Sequence, residues 1–252
     1  MITVRLMGGF GNQMFQAAYA LALKSRGYNV VLDKTRCVSR TGTHFEYSLS
    51  AFDLLPMNAV EGFLGPVIKE EGFRYDSKML APIDGVTMEG YWQSEKYFKD
   101  ISNVVRSVFT FRNLPEKTIE AGKNLRSIGA IGLHIRRGDY VGLEHYHGMP
   151  SLEYYSEALY SLPHNSKVFV FSNDPEWCKE KFPNATVIEG LDKYEDMHLM
   201  SQCAHLVIAN SSFSWWAGWL GDRPGRTVIA PKKWFTVPVN TQDLIPERWV
   251  KL

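Results

Sequence analysis

Residues 130–140 read Ala-Ile-Gly-Leu-His-Ile-Arg-Arg-Gly-Asp-Tyr, an apolar run that ends in a polar, doubly basic cluster. Short apolar runs bounded by turn residues read as buried strands, which predicts a strand over Ala130–Ile135. The chain beyond it keeps one rhythm. A helix is expected over Leu152–Leu162 and a strand over Val168–Phe171. Another helix is expected over Glu176–Phe182, started by Asp174 as N-cap with Pro175 at the first position. Thr186–Ile188, Leu206–Ala209 and Val228–Ala230 read as strands, with helices over Glu195–Cys203 and from Asn210-Ser-Ser-Phe-Ser to Leu220. Strands alternating with helices predict a parallel sheet covered on both faces, hence the α/β class.

The amino-terminal half opens the same way. Ile2–Leu6 reads as a strand and Gly8–Gly11 as a glycine turn. Asn12–Arg26 follows as a helix with Met14, Ala18, Leu21 and Ala22 on one face, then Val30–Leu32 as a strand ending at Asp33. Pro56, Pro66, Pro82 and several glycines break up the next stretch, where only a helix near Ala51 is expected; Ser94–Phe111 reads as mostly helical.

Bulk properties exclude several classes. A formal net charge of +1, from 28 basic and 27 acidic residues, offers no field for a polyanion, so no nucleic-acid partner is expected. The three cysteines are widely spaced, and neither a disulfide framework nor a C-x-x-C metal site is expected. The opening Met-Ile-Thr-Val-Arg has no signal-peptide pattern, and no apolar run is long enough to span a bilayer.

Chemistry is expected where strands end, because ligands of open parallel sheets sit beyond the carboxyl ends of the strands. Three expected strands end in polar clusters: His134–Asp139, Ser172–Asp174 and Asn210–Ser214. A guanidinium fork matches phosphate bidentately. Side chains alternate along a strand, so one of Arg136 and Arg137 is expected at the ligand and the other on a local carboxylate such as Asp139. On the dipeptide alone a surface ion pair would be the better reading; its place at a buried strand end reverses that. Ser211 or Ser212 caps the next helix, or shares in an anion site with its free amides, and both can hold together. Asp174 likewise caps a helix or accepts hydrogen bonds from a base or ribose, and capping is favoured on residue type alone. Trp215, Trp216 and Trp219 read as core.

Gly9-Phe-Gly11-Asn-Gln-Met14 with Asp33 downstream supports a rival reading, an NAD-dependent enzyme. Against it stands Met14 at the third glycine position, which close helix–strand packing disfavours. A non-catalytic glycan-binding module is a third reading. No D-x-D motif is present, and His145-Tyr-His147 is a weak metal pattern.

GGFGNQMFQ near the start, GYWQSEKYF at 90–98, HIRRGDY at 134–140 and FSNDPEWC at 171–178 occur in that order. They are followed by DMHLMSQCAHLVIANSSFSWWAGWL at 196–220 and VIAPKKWF at 228–235. Together these segments resemble glycosyltransferase family 11, the bacterial and animal galactoside α-1,2-fucosyltransferases. The resemblance implies a GT-B-like fold, two Rossmann-type halves with a cleft between them. It implies a metal-independent, inverting enzyme that moves L-fucose from GDP-β-L-fucose to the 2-hydroxyl of a terminal galactose. Its partners would be that donor and a galactose-containing acceptor glycan. There would be no bound cofactor, and the location would be the cytoplasm, with at most peripheral contact at the inner face of a bacterial membrane.

The halves are expected as 1–125 for the acceptor and 126–236 for GDP-fucose, with 237–252 packing back on the first half. The His-x-Arg-Arg and Ser-Phe-Ser elements also resemble α-1,6- and protein O-fucosyltransferases. That likeness implies donor binding by His134 and Arg136, with Arg136 on the β-phosphate and catalytic. It implies Asp174 at the guanosine, Ser212, Phe213 and Ser214 at the pyrophosphate, and Asn12 at the sugar end. One departure is Asn173, where the family usually carries aspartate. Candidate general bases are Asp139, Glu144, His145, His147 and Glu95, with a proton leaving through water as the alternative.

Overall fold

A computed structural model of the chain describes residues 1–37, 46–62, 65–138 and 148–252; Asp139, Glu144, His145 and His147 lie outside the described residues. Two compact units are present: Met1–Arg112 with Val239–Pro246, and Asn113–Pro238 with Glu247–Leu252.

The first unit carries β1 (Ile2–Arg5), α1 (Phe10–Ser25), β2 (Val30–Asp33), β3 (Ala59–Val60), β4 (Val67–Lys69), β5 (Thr87–Glu89) and α2 (Ser102–Val108). Its sheet is parallel throughout, in the order β3-β2-β1-β5-β4. Helix α1 is buried on every side rather than along one stripe, from Phe10 to Leu23. Two glutamines survive there because the backbone satisfies them. Gln13 donates to the Gly8 and Glu46 carbonyls and accepts from the Ser48 amide. Gln16 donates to the Met7 and Gly90 carbonyls and accepts from the Met7 amide.

Two helical expectations in this unit need correction. Near Ala51 only a single 3-10 turn forms, Leu49–Ala51. Within Ser94–Phe111, two 3-10 turns at Glu95–Tyr97 and Lys99–Ile101 precede α2, because Phe98 leaves helical geometry at φ −129°.

The second unit contains α3 (Glu116–Ser127), β6 (Ile131–Ile135), α4 (Leu152–Tyr160), β7 (Val168–Ser172), α5 (Pro175–Lys181), β8 (Thr186–Ile188) and α6 (Lys193–Gln202). These are followed by β9 (His205–Val207), α7 (Ser212–Leu220), β10 (Val228–Ala230) and β11 (Val250–Lys251). Its parallel sheet runs β11-β10-β9-β6-β7-β8. From β6 the chain winds outward through β7 to β8, then returns to the other side of β6 for β9, β10 and β11. That is the doubly wound order, with its reversal between β6 and β9.

Helix α3 escapes a pattern reading because only Thr118, Gly122 and Leu125 are buried along it. It docks on α6, where the Thr118 hydroxyl donates to Glu195 at 2.5 Å and Gly122 leaves room for Gln202 and His198. The first unit therefore ends at Arg112, ahead of residue 125, and α3 belongs with the second. The carboxyl-terminal segment divides as well. Val239–Pro246 goes with the first unit, and β11 pairs with β10 in the second.

Trp215, Trp216 and Trp219 are core, as their helical spacing implies. Trp215 meets Trp216 at 5.1 Å and Trp249 at 5.4 Å between ring centroids. Such aromatic pairs add about 0.5–1.5 kcal/mol beyond area burial. The ends of α6 and α7 are held by two arginines. Arg226 donates to the carbonyls of Met200, Ser201, Ala217 and Gly218, and Arg223 to those of Ser201, Gln202, Cys203 and Gly221. Positive groups on orphan helix carbonyls match both the hydrogen bonds and the macrodipole.

Candidate functional site

Register brings the three polar strand ends together. Leu133 pairs with Val207, and Ile135 with Ser172, so β9, β6 and β7 release their chains side by side at the reversal of the sheet. Beyond the last strand residue, Ile135, the Arg136 charge is felt by the His134 imidazole, while Arg137 turns to Asp174 and Trp177.

His134 is 4% exposed, and its ring centroid lies 5.8 Å from that of Phe213. Burial, with a smaller push from the Arg136 charge, drives its imidazole down to about 3, so it is neutral at physiological pH. Among the described residues no group hydrogen-bonds its buried Nδ1 atom. Beside it starts α7, capped by Ser211, whose hydroxyl accepts from the Phe213 amide at 3.3 Å. Ser212 is partly exposed in the first turn of α7. Ser214 is fully buried, its hydroxyl donating to the Ala209 and Ser211 carbonyls, so it serves the turn itself. Asn210 donates to the Trp234 carbonyl at 2.9 Å and anchors the chain beyond β10.

The Arg137 Nε atom donates to Asp174 at 3.2 Å, and its guanidinium lies 4.1 Å from the centre of the Trp177 ring. Asp174 also caps α5, accepting from the Trp177 amide at 3.3 Å. Asn173 accepts the Arg137 amide at 2.9 Å, and its side-chain nitrogen fills the space left by Gly138, at φ +25°. The asparagine keeps the accepting oxygen an aspartate would have.

A cavity of about 190 Å³ opens at the ends of β7 and β8, lined by Ser172, Pro175, Ile188, Glu189, Gly190, Leu191 and Asp196. Asp196 sits in the first turn of α6. Burial first, then the charges of Asp192 and Glu195, push its carboxyl up to about 7. Perturbed carboxyls in concave sites are functional candidates. Asp196 was missed from sequence, although an acid beside the buried Met197, Leu199 and Met200 is a usable signal.

In the first unit Asn12 occupies the first turn of α1, and its side-chain oxygen accepts from Gln93 at 2.8 Å. Asp33, the residue a dinucleotide enzyme would offer to ribose, is 1% exposed and fully engaged. It accepts from Thr35, from the Gly62 amide and from Arg5. Burial alone would raise its carboxyl, but these hydrogen bonds hold it below the usual range. Met14 is fully buried. Both observations disfavour the NAD reading. Among the described residues no three His, Cys, Asp or Glu side chains gather as a metal site, and no helix is long and apolar enough to cross a membrane.

Comparison with known proteins gives the family. The description "Glycosyl transferase family 11" matches residues 84–252. The chain is 33% identical to the alpha-1,2-colitosyltransferase of Escherichia coli, covering 100% of this chain and 98% of that one. It is 29% identical to galactoside alpha-(1,2)-fucosyltransferase 1 of Alouatta caraya, covering 92% of this chain and 67% of that one. The solved structure of the NodZ alpha-1,6-fucosyltransferase soaked with GDP-fucose superimposes with a TM-score of 0.50 at 16% identity, over 87% of this chain and 92% of that one. The last likeness is one of fold, α/β of the GT-B type with two Rossmann-type halves. Covered end to end by a relative one-third identical to it and matched by the family description over residues 84–252, this chain belongs to glycosyl transferase family 11 and is a glycosyltransferase.

Proposed function

We propose that this glycosyltransferase moves a 6-deoxy-L-hexose, L-fucose in the first instance, from its GDP-linked donor to the 2-hydroxyl of a terminal galactose. The observation that carries this reading is the grouping at the β6–β9 reversal. Neutral His134, Arg136 and the start of α7 meet there, beside the Asp196 cavity in the same unit.

In this reading Arg136, Ser212 and the amino-terminal end of α7 hold the diphosphate. They act most strongly as charge grows on it, where preorganised donors help catalysis most. The Asp196 carboxylate accepts two N–H groups of guanine, from N1 and the 2-amino group. Uracil offers a single N–H on the corresponding edge, and adenine lacks the pair. The acceptor oxygen forms a bond to the anomeric carbon as the bond to the β-phosphate oxygen breaks. GDP leaves, and one displacement turns the β-linked donor into an α-linkage. The acceptor proton passes to a base or to water.

A second donor is favoured by the Escherichia coli relative, a colitosyltransferase. Colitose is the 3-deoxy counterpart of fucose, so the same nucleotide site serves both sugars and a contact at C3 separates them. The test is thermal shift with GDP, UDP and NAD, followed by turnover with GDP-fucose and GDP-colitose on a galactoside, with and without EDTA. GDP at a hundred times its dissociation constant should stabilise by about 2.7 kcal/mol. Equal shifts with UDP, or activity that EDTA abolishes and Mn²⁺ restores, would overturn the corresponding part.

A further inference from the structure

The strand order of the first unit reverses between β1 and β5, and the chains leaving these neighbours carry Asn12 and Gln93. Their hydrogen bond uses the Gln93 amide nitrogen and the Asn12 oxygen, 2.8 Å apart. Among the described residues Asn12 therefore keeps its –NH2 group and Gln93 its carbonyl, an oriented donor beside an oriented acceptor. A sugar hydroxyl, which both accepts and donates, is the complement of such a pair.

The turn that delivers Gln93 is built under constraint. Trp92 has φ +54°, the one positive value outside glycine among the described residues. Its indole is fully buried and stacks 4.1 Å from Tyr19. A bulky residue stays in this sparsely populated region only where its surroundings over-determine it, and such residues gather at functional sites. Here the clamp is Glu70, on the chain leaving β4. One carboxylate oxygen accepts from the Tyr91 amide at 2.7 Å and the Trp92 amide at 2.9 Å. Gly90 lets it approach, since a Cβ there would lie 2.5 Å from the Glu70 Cβ. From the other side Gln16 donates to the Gly90 carbonyl at 3.0 Å. The other Glu70 oxygen is buried without a hydrogen bond among the described residues, and burial pushes the carboxyl up to about 7. The arrangement fits a turn whose geometry must be kept.

We infer that Gln93, paired with Asn12, determines specificity by binding a sugar hydroxyl, and that Glu70 is the positioning residue that holds the Gly90–Gln93 turn for it. This rests on the reading of the chain as a GDP-sugar transferase. The hydroxyl belongs either to the acceptor or to the transferred sugar, and kinetics separates the two.

The experiment compares wild type, Gln93→Ala, Glu70→Ala, Glu70→Gln and the Gln93→Ala/Glu70→Ala double variant. Steady-state kinetics is run in both substrates, with GDP affinity by calorimetry and melting temperature alongside. Gln93→Ala should lower kcat/KM on the order of 10- to 100-fold, as loss of substrate positioning does, while GDP affinity stays within about twofold. A change in the acceptor KM assigns the hydroxyl to the acceptor; a change in the GDP-sugar KM at constant GDP affinity assigns it to the transferred sugar. Glu70→Ala should fall similarly, Glu70→Gln should restore most of the loss by keeping an accepting oxygen, and the double variant should fall little further than Gln93→Ala. Wild-type kcat/KM in Gln93→Ala overturns the inference. Additive losses in the double variant overturn the role of Glu70. A wild type that does not bind GDP overturns the nucleotide reading as well, a result distinct from either.

Discussion

Arg137 and Asp174 are joined across neighbouring strand ends: the guanidinium Nε atom donates to the carboxylate at 3.2 Å, while Trp177 packs 4.1 Å from the same guanidinium. This leaves the adjacent arginines with different work. Arg137 fastens the end of β6 to the start of α5, and Arg136 lies on the His134 side, where its charge is felt by the imidazole. The local carboxylate that Arg137 meets is Asp174, which serves as cap and ion-pair partner together.

Arg137→Ala should therefore be read mainly as lost stability. The pair is partly exposed, 25% and 34%, so it is discounted to under about 1 kcal/mol, with cation–π packing adding about 0.5–1 kcal/mol. A fall of about 1–2 kcal/mol in chemical denaturation is expected, with kcat reduced far less than in the neighbouring variant.

Arg136→Ala should lower kcat by a factor of order 10²–10³ while GDP affinity changes less, because its charge matters most as the leaving group departs. Arg136→Lys should recover little, since an ammonium lacks the bidentate fork. Full activity in Arg136→Ala beside a stable but inactive Arg137→Ala would reverse the assignment.

GDP affinity should rise with pH through about 7. Asp196, pushed up to about 7 by burial and by Asp192 and Glu195, accepts two guanine N–H groups only when ionised. Its raised value also means that the free protein draws stability from this group below the unfolded carboxyl value near 4 and loses it as pH rises through about 7. GDP opposes that loss. Calorimetry from pH 5.5 to 8.5 on wild type and Asp196→Asn tests both parts: the variant should bind at least about tenfold more weakly, with the pH limb absent. An unchanged limb in Asp196→Asn would move guanine recognition elsewhere.

Arg226→Met should cost about 2–4 kcal/mol. Its guanidinium spans carbonyls at the ends of α6 and α7, and removing a charged donor leaves those buried acceptors unpaired. Nucleotide affinity extrapolated to zero denaturant should be unaffected. A melting temperature equal to wild type would show that water replaces the side chain freely.

Local pattern alone determined the alternation of the second unit. The strands expected at 130–135, 168–171 and 228–230 form within a residue of those bounds, and with the Asp174 cap and the tryptophan core of α7 they follow from period, length and turn residues, which act over a few positions. The same pattern named three polar strand ends without saying that they adjoin. Adjacency of β9, β6 and β7 comes from two crossovers on opposite sides of β6, a property of the whole sheet. Where partners are distant in sequence, only tertiary structure decided. Arg137 chose Asp174, 37 residues away, Gln93 met Asn12, 81 residues away, and Glu70 reached the Tyr91 amide, 21 residues away. Helix α3 was hidden because its buried face is three small contacts, and Asp196 because its shift arises from burial rather than from residue type. Periodicity reports how a segment meets its immediate surroundings. Which charged or polar group faces another is set by packing between elements, and no local period encodes it.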